Sequence, residues 1–395
     1  MQCIVWLGVE LNSVDFSMQI VDRRIDKLEV SIRRLLADET RYRKVFVRSV
    51  AGVIGQIISM GNVIGSVCQL MTKSLSFDVA NAANWNVRIL LSSESLSQLH
   101  FWLCNIRKLN SKRLDYDPSC SAILFSDASG FGYGGYCVHV RDSEVQGYWS
   151  DDEFHRSSAW KEATAVFRVL KSLVSIVRDR RIKWFSDNQS VVSFLMKGSM
   201  KPDLQVIAMD VFSLSVQNNI SLELEWIPRT SNEKADYLSK IVDYDDWSVG
   251  DEVFHALNRM WGPYSVDWFA SQHNNKLEVF YSRYWCPSSA GVDAFTADWG
   301  GTIGWFVPPI ILIPRVVRYA QRCRATGTLI IPLWKSSSFW PLVFQNDSFV
   351  RGILEYLDIP REREYYSSSR MTRSMFGNAN LPFRMLALRF DFGDV

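Results

Sequence analysis

Alternating strand-like and helix-like segments predict an α/β fold for this chain. A mixed five-stranded sheet with flanking helices is expected over residues 121–242. A mainly helical region precedes it and a smaller α/β domain follows. Three observations carry the prediction. Periodic segments from 121 to 241 run strand, strand, strand, helix, strand, helix, helix, strand, helix, an order that implies a mixed sheet covered by helices. Hydrophobic residues make up 47% and charged residues 22% of the 395, ordinary for a globular protein. Fifteen Trp and 23 Phe argue against disorder over most of the length. The length itself exceeds one ordinary core and points to several domains.

The elements follow in order. "IVWLGVELN" and "FSMQIV" read as two strands with a turn at Ser13–Asp15. Ile25, Leu28, Val30, Ile32 and Leu35 give a helix, and a second spans Val45 to Ile58. A third amphipathic stretch runs from Leu90 to Leu109, before a polar linker at 110–120. "AILFSD", "GFGYGGYCVHV" and "EVQGYWS" are strands with glycines at the bends. A long helix carries Ala163, Val166, Phe167, Leu170 and Val174 on one stripe. The strand "IKWFSD", helices at "SVVSFLMK" and 204–216, and the strand "LELEWI" come next. The last helix of this domain has a capping-box start, Thr230 with Glu233 three residues on. Beyond 243, "SVDWFA", "GWFVPP" and "GTLIIPLW" are strands between helical stretches. The expected boundaries are 1–80, 81–120, 121–242, 243–360 and a polar basic tail over 361–395.

Composition narrows the function classes. The net charge is only +2, so any nucleic-acid surface must be local. Seven scattered cysteines without a C-x-x-C pair support neither a zinc ribbon nor a disulfide framework, and a reducing, intracellular setting (cytoplasm or nucleus) is expected. "MQCIVWLGVEL" lacks the features of a signal peptide. "WFVPPIILIP" is too short and Pro-rich to span a bilayer, so no membrane partner is expected. Nothing in the sequence indicates an oligomeric state.

Four carboxylates carry the chemistry: Asp127 in "ILFSDASGFGYGGY", Glu162 in "SSAWKEATAVFRVL", Asp187 in "IKWFSDNQSVVSFL" and Asp236 in "RTSNEKADYLSK". Each stands where an apolar element meets a polar break. Glu162 shares a stripe with Ala159, Ala163 and Val166, and a glutamate on a core face is costly unless paired or metal-bound. Two divalent ions held by such carboxylates can activate a water and stabilise a leaving oxygen. Magnesium needs only a few carboxylates, because it keeps several waters. A structural alternative exists for each residue. Asp187 suits a turn or N-cap, Asp236 a solvated helix face, and Glu162 an ion pair with Arg156 or Arg168. The ordered set on matching elements favours the metal.

Residues 121–241 resemble the ribonuclease H domain of retroelement reverse transcriptases. "FSDASGFGYGGY", "SSAWKEATAV", "FSDNQSVV" and "WIPRTSNEKADYLSK" match its four acidic motifs. The resemblance implies a ribonuclease H-like fold, hydrolysis of the RNA strand of RNA–DNA hybrids, and two Mg²⁺ ions, with Mn²⁺ as a substitute. Asp127, Glu162, Asp187 and Asp236 would be the ligands. The loop histidine that many members carry is missing from "IPRTSNEK", which implies slower turnover. Ser129, Asn188 and Asn232 are candidate nucleic-acid contacts, with Arg181 and Lys183 from the cation cluster "VRDRRIKWF". That cluster equally suits a solvated helix end.

The flanks resemble polyproteins of DIRS-type (tyrosine-recombinase) retrotransposons. "VWLGVELN" is similar to the primer grip and "RSVAGVIGQIISMG" to the thumb, with fingers and palm not represented. Polymerase chemistry is therefore not expected. Tyr244–Asp245–Asp246 is Y-D-D rather than Y-x-D-D, and no apolar hairpin flanks it. "SVDWFASQHNNKL", "VDAFTADW", "WFVPPI" and "GTLIIPLWKSSSFWPLV" resemble a phage adenine methyltransferase segment. Such a site needs Asn or Asp before Pro-Pro and an aromatic after it. Val307 and Ile310 stand there instead, so a degenerate module is expected.

Overall fold

A computed structural model describes residues 2–114, 119–243, 245–368, 375–376 and 379–393. Tyr244, residues 115–118 of the expected linker and residues 369–374 of the expected tail lie outside the described residues. The chain forms two compact units. One comprises 1–126, 155–167 and 176–233; the other comprises 127–154, 168–175 and 234–395. The division falls inside a single strand, between Ser126 and Asp127.

The first unit opens with β1 (Cys3–Trp6), β2 (Val9–Asn12) and β3 (Ser17–Ile20). The run "IVWLGVELN" is thus two strands, not one. Leu7 and Gly8 both adopt positive φ (48° and 79°), the turn that matches the twist of a tight antiparallel pair. Helix α1 (Asp22–Tyr42) buries Ile25, Leu28, Ile32 and Leu35. Val30 is exposed, since it lies about 200° from Leu28 around the axis. Helix α2 (Val47–Ile58) starts two residues later than its apolar run suggests, because Val45–Phe46 pair with Arg88–Ile89. Helix α3 (Ser93–Asn105) is capped by Ser92, whose Oγ accepts from Ser95 N–H at 3.2 Å. Trp102 is fully buried and its Nε1 donates to Met71 O at 2.9 Å. One core runs from Ile20 to Ile106, so α3 belongs with the helices before it. Strand β4 (Lys112–Arg113) pairs with β3 and closes a four-stranded sheet.

The five-stranded sheet is mixed and flanked by helices, as its sequence pattern predicts. Its strands are β5 (Ala122–Ala128), β6 (Gly132–Cys137), β7 (Val145–Tyr148), β8 (Arg181–Ser186) and β9 (Ser221–Trp226). Their order is β9-β8-β5-β6-β7. β5, β8 and β9 run parallel, while β6 and β7 are antiparallel to each other. The helices are α4 (Ser158–Ser172), α5 (Gln189–Lys197), α6 (Pro202–Gln217) and α7 (Glu233–Lys240). The expected capping box is not formed: Thr230 lies in a 3₁₀ turn over Arg229–Ser231, and α7 begins at Glu233.

A second five-stranded sheet lies wholly in the second unit. Its strands are β10 (Val266–Asp267), β11 (Ile303–Phe306), β12 (Thr326–Pro332), β13 (Ile353–Ile359) and β14 (Met385–Asp391). The order is β10-β11-β12-β14-β13, parallel across the first three. Strand β14 corrects the expectation of a polar tail over 361–395. Its alternate residues serve two cores: Met385 and Ala387 on one face, Leu386, Leu388 and Phe390 on the other. Helices α8 (Asp251–Trp261) and α9 (Ile313–Arg322) contribute to the opposite cores. Among the described residues, no helix is long and apolar enough to cross a membrane.

Candidate functional site

Asp127 stands on β5, the central strand of the mixed sheet. The residue before it is held from two sides. Ser126 Oγ accepts from Trp184 Nε1 at 2.9 Å, and Ser126 O accepts from Asn232 Nδ2 at 3.0 Å. Glu162 lies on α4 beside Ala163, Ala165 and Val166, all fully buried. Asp187 follows the last residue of β8. The N-cap of α5 is not Asp187 but its neighbour: Asn188 Oδ1 accepts from Val191 N–H at 3.2 Å. The main chain of Asp187 is fixed by Trp226, whose Nε1 donates to its carbonyl at 3.0 Å.

One carboxylate oxygen from each of Asp127, Glu162 and Asp187 lies within 4.8 Å of the other two. Asp127 is 3% exposed and Glu162 is 8% exposed, while Asp187 is partly open to solvent. Three anions so close repel one another, and burial removes the water that would screen them. The donor set is all oxygen, without His or Cys, which suits a hard divalent cation such as Mg²⁺ or Mn²⁺. The two arginines that offered Glu162 an ion pair have other partners. Arg168 bonds Glu153 and lies over the Tyr133 and Trp149 rings, and Arg156 stacks on Trp160 at 5.4 Å.

Asp236 is not part of this group of three. It lies on α7, where Lys240 one turn on donates to Oδ1 at 2.7 Å and Oδ2 at 2.5 Å. Ser239, which the sequence does not single out, is fully buried; its Oγ lies 2.7 Å from Asp127 Oδ2 and 2.9 Å from Asp236 O. The candidate nucleic-acid contacts are also placed. Ser129 Oγ donates to Ser239 O at 2.6 Å and accepts from Phe131 N–H and Gly132 N–H. Asn188 is the cap of α5, and Asn232 is buried on Ser126. Asn232 is buried, while Ser129 and Asn188 are partly exposed and also hydrogen-bonded within the fold. Arg181 pairs with Glu223 at 2.9 Å and Lys183 with Glu225 at 2.5 Å, across β8 and β9. Both cations remain near the surface.

Within the second unit there is also a cavity of about 550 Å³. Trp268, Phe269, Tyr281 and Phe295 line it, with Asp246 and Val307. Asp246 accepts from Ser271 Oγ at 3.0 Å and Asn274 Nδ2 at 2.5 Å, and burial pushes its carboxyl up to about 6. Asp267 ends β10 nearby in sequence; burial pushes it up to about 7. Its Oδ2 accepts from Lys276 N–H at 3.0 Å, and its buried Oδ1 has no hydrogen-bond partner among the described residues. The sequence signals for this region are "SVDWFASQHNNKL", "VDAFTADW" and "WFVPPI".

A family model described as DNA N-6-adenine-methyltransferase (Dam) matches residues 238–372, a minority of the chain. No curated protein matches. Among solved structures, the RNase H1 of the halophilic archaeon Halobacterium salinarum NRC-1 is 20% identical, with a TM-score of 0.26, over 30% of this chain and 92% of that one. LC11-RNase H1, solved in complex with RNA/DNA hybrid, is 19% identical, with a TM-score of 0.27, over 30% of this chain and 93% of that one. The foamy viral protease-reverse transcriptase, solved in complex with dsDNA, is 11% identical, with a TM-score of 0.24, over 58% of this chain. The chain spans 45% of the length of that protein.

Proposed function

We propose that the chain is a divalent-metal-dependent endonuclease that hydrolyses the RNA strand of RNA–DNA hybrids, and that it derives from a DIRS-type retrotransposon polyprotein. The observation that carries the chemistry is the convergence of Asp127, Glu162 and Asp187 from a strand, a helix and a strand end. Two buried carboxylates beside a third are stable together when a cation offsets their charge. Held by these residues, Mg²⁺ or Mn²⁺ supplies charge stabilisation at the scissile phosphate and lowers the pKa of a bound water. Asp127 and Glu162, being buried, set the position of the centre, while Asp187 faces the open side where a nucleic acid backbone enters. Asp236 is the fourth donor that the motif resemblance names, and a second ion requires it. Its pair with Lys240 is solvent-accessible, and such pairs contribute about 1 kcal/mol or less, so it opens readily. Hybrid preference rests on the motif resemblance.

The test is cleavage of a labelled RNA–DNA hybrid by the purified chain with Mg²⁺, beside Asp187→Asn. The wild type is expected to cut only the RNA strand, and the variant to be slower by at least about 100-fold, more than the loss usual for residues that merely support a metal ligand. Equal, negligible cleavage by both defeats the nuclease reading. Hybrid binding without cleavage identifies an idle binding remnant instead. Methyl transfer is not proposed: Val307 lines the cavity of the second unit and has no group to accept a hydrogen bond from a base amine. Transfer of a labelled methyl group to DNA above background would overturn that exclusion.

A further inference from the structure

We propose that Ser239 is a positioning residue for the metal centre, one that sets the Asp127 carboxylate and ties it to the helix carrying Asp236. The inference rests on the nuclease reading above. Ser239 has one hydroxyl proton and two acceptors in reach, Asp127 Oδ2 at 2.7 Å and Asp236 O at 2.9 Å. An ionised carboxylate is the stronger acceptor, by about a factor of two, so the proton goes to Asp127. Fixing one oxygen fixes the torsion of the carboxyl group and therefore the place of both oxygens.

Ser239 is itself held on three sides. Its carbonyl accepts from Ser129 Oγ at 2.6 Å. Its backbone nitrogen lies against Gly134, where an added Cβ would stand 2.5 Å from it. Its side chain is closed off from solvent by the same packing. A hydroxyl with so little freedom transmits the position of α7 to Asp127. The carboxylate is then held before any ion arrives, and the ion need not order it on binding.

The experiment measures Mn²⁺ affinity by titration calorimetry, with the electron paramagnetic resonance signal of the bound ion, on the full chain without nucleic acid. Wild type is compared with Ser239→Ala and Ser239→Cys; the thiol keeps a polar hydrogen at the position but is larger and a weak donor. Melting temperatures without metal are recorded for all three. The expected result is affinity weaker by about 10-fold or more in both variants, at melting temperatures close to wild type. Should Ser239→Ala fold poorly, the affinity of Ser239→Cys alone decides between the outcomes. Wild-type affinity in a folded variant overturns the positioning role and leaves the nuclease reading to the cleavage assay. A wild type that binds no Mn²⁺ overturns both. A wild type that binds Mn²⁺ but cuts no hybrid, with weaker binding in the variants, defeats the nuclease reading alone.

Discussion

At the scale of single residues, Asp187 shows how far sequence can go. An aspartate at a strand end before a helix suits capping as well as catalysis. The structure gives the cap to Asn188 and places the Asp187 carboxylate with those of Asp127 and Glu162. Asp127 and Glu162 were legible because their apolar neighbours fix a strand face and a helix stripe. Ser239 was not, since a side-chain hydrogen bond between elements leaves no periodic trace, whereas the Asp236–Lys240 pair has the i,i+4 spacing of a helix-face ion pair. Asp267 was noted only as part of a motif, yet it yields a pH prediction. Its folded-state value is raised to about 7 by burial, against about 4 in an unfolded chain. The native state therefore holds the proton more tightly. The stability this contributes is full below about pH 4 and is lost as pH rises through about 7. Asp267→Asn is neutral throughout and removes the dependence. Urea unfolding at pH 5, 6, 7 and 8 should show the variant gaining on wild type by on the order of 1 kcal/mol per unit up to pH 7. Parallel pH profiles would rule this assignment out.

At the scale of elements, the mixed sheet and its helices were readable from periodicity, because β5 to β9 and α4 to α7 each show one consistent repeat. Boundaries were less so. A two-residue turn at Leu7–Gly8 and the late start of α7 depend on backbone conformation that polar residues only suggest. Strand β14 was hidden by the polar run before it, although its apolar run Met385–Leu388 fits a strand buried on both faces. The contact of α7 with β6 is the element-level support of the candidate site. A Cβ at Gly134 would lie 2.5 Å from Leu238 Cβ and 2.5 Å from Ser239 N, and a helix backbone cannot yield as a flexible side chain does. Gly134→Ala should therefore push α7 away from the sheet and destabilise the fold by about 1–3 kcal/mol, the usual result of overpacking. A urea midpoint unchanged from wild type would show that α7 accommodates the methyl group.

At the scale of the whole molecule, charge decides how nucleic acid would be held under the proposed function. Forty-four basic residues face 42 acidic ones, so no general field draws a polyanion to this chain. Contact must come from local cations, and the two candidate cations on β8 are already paired, Arg181 with Glu223 and Lys183 with Glu225. A phosphate that recruits Lys183 must compete with Glu225, which raises the lysine's pKa through their hydrogen bond and keeps the ammonium charged. Hybrid affinity should then fall with salt, but each pair that stays closed releases no counterion from the duplex. Measuring affinity for a fixed hybrid against salt concentration resolves the matter. If Lys183 leaves Glu225 for a phosphate, Lys183→Ala lowers the magnitude of the log–log slope by about one. An unchanged slope means that the pair persists in the complex and that Lys183 braces β8 against β9. The hybrid must then be held by other cations of the chain.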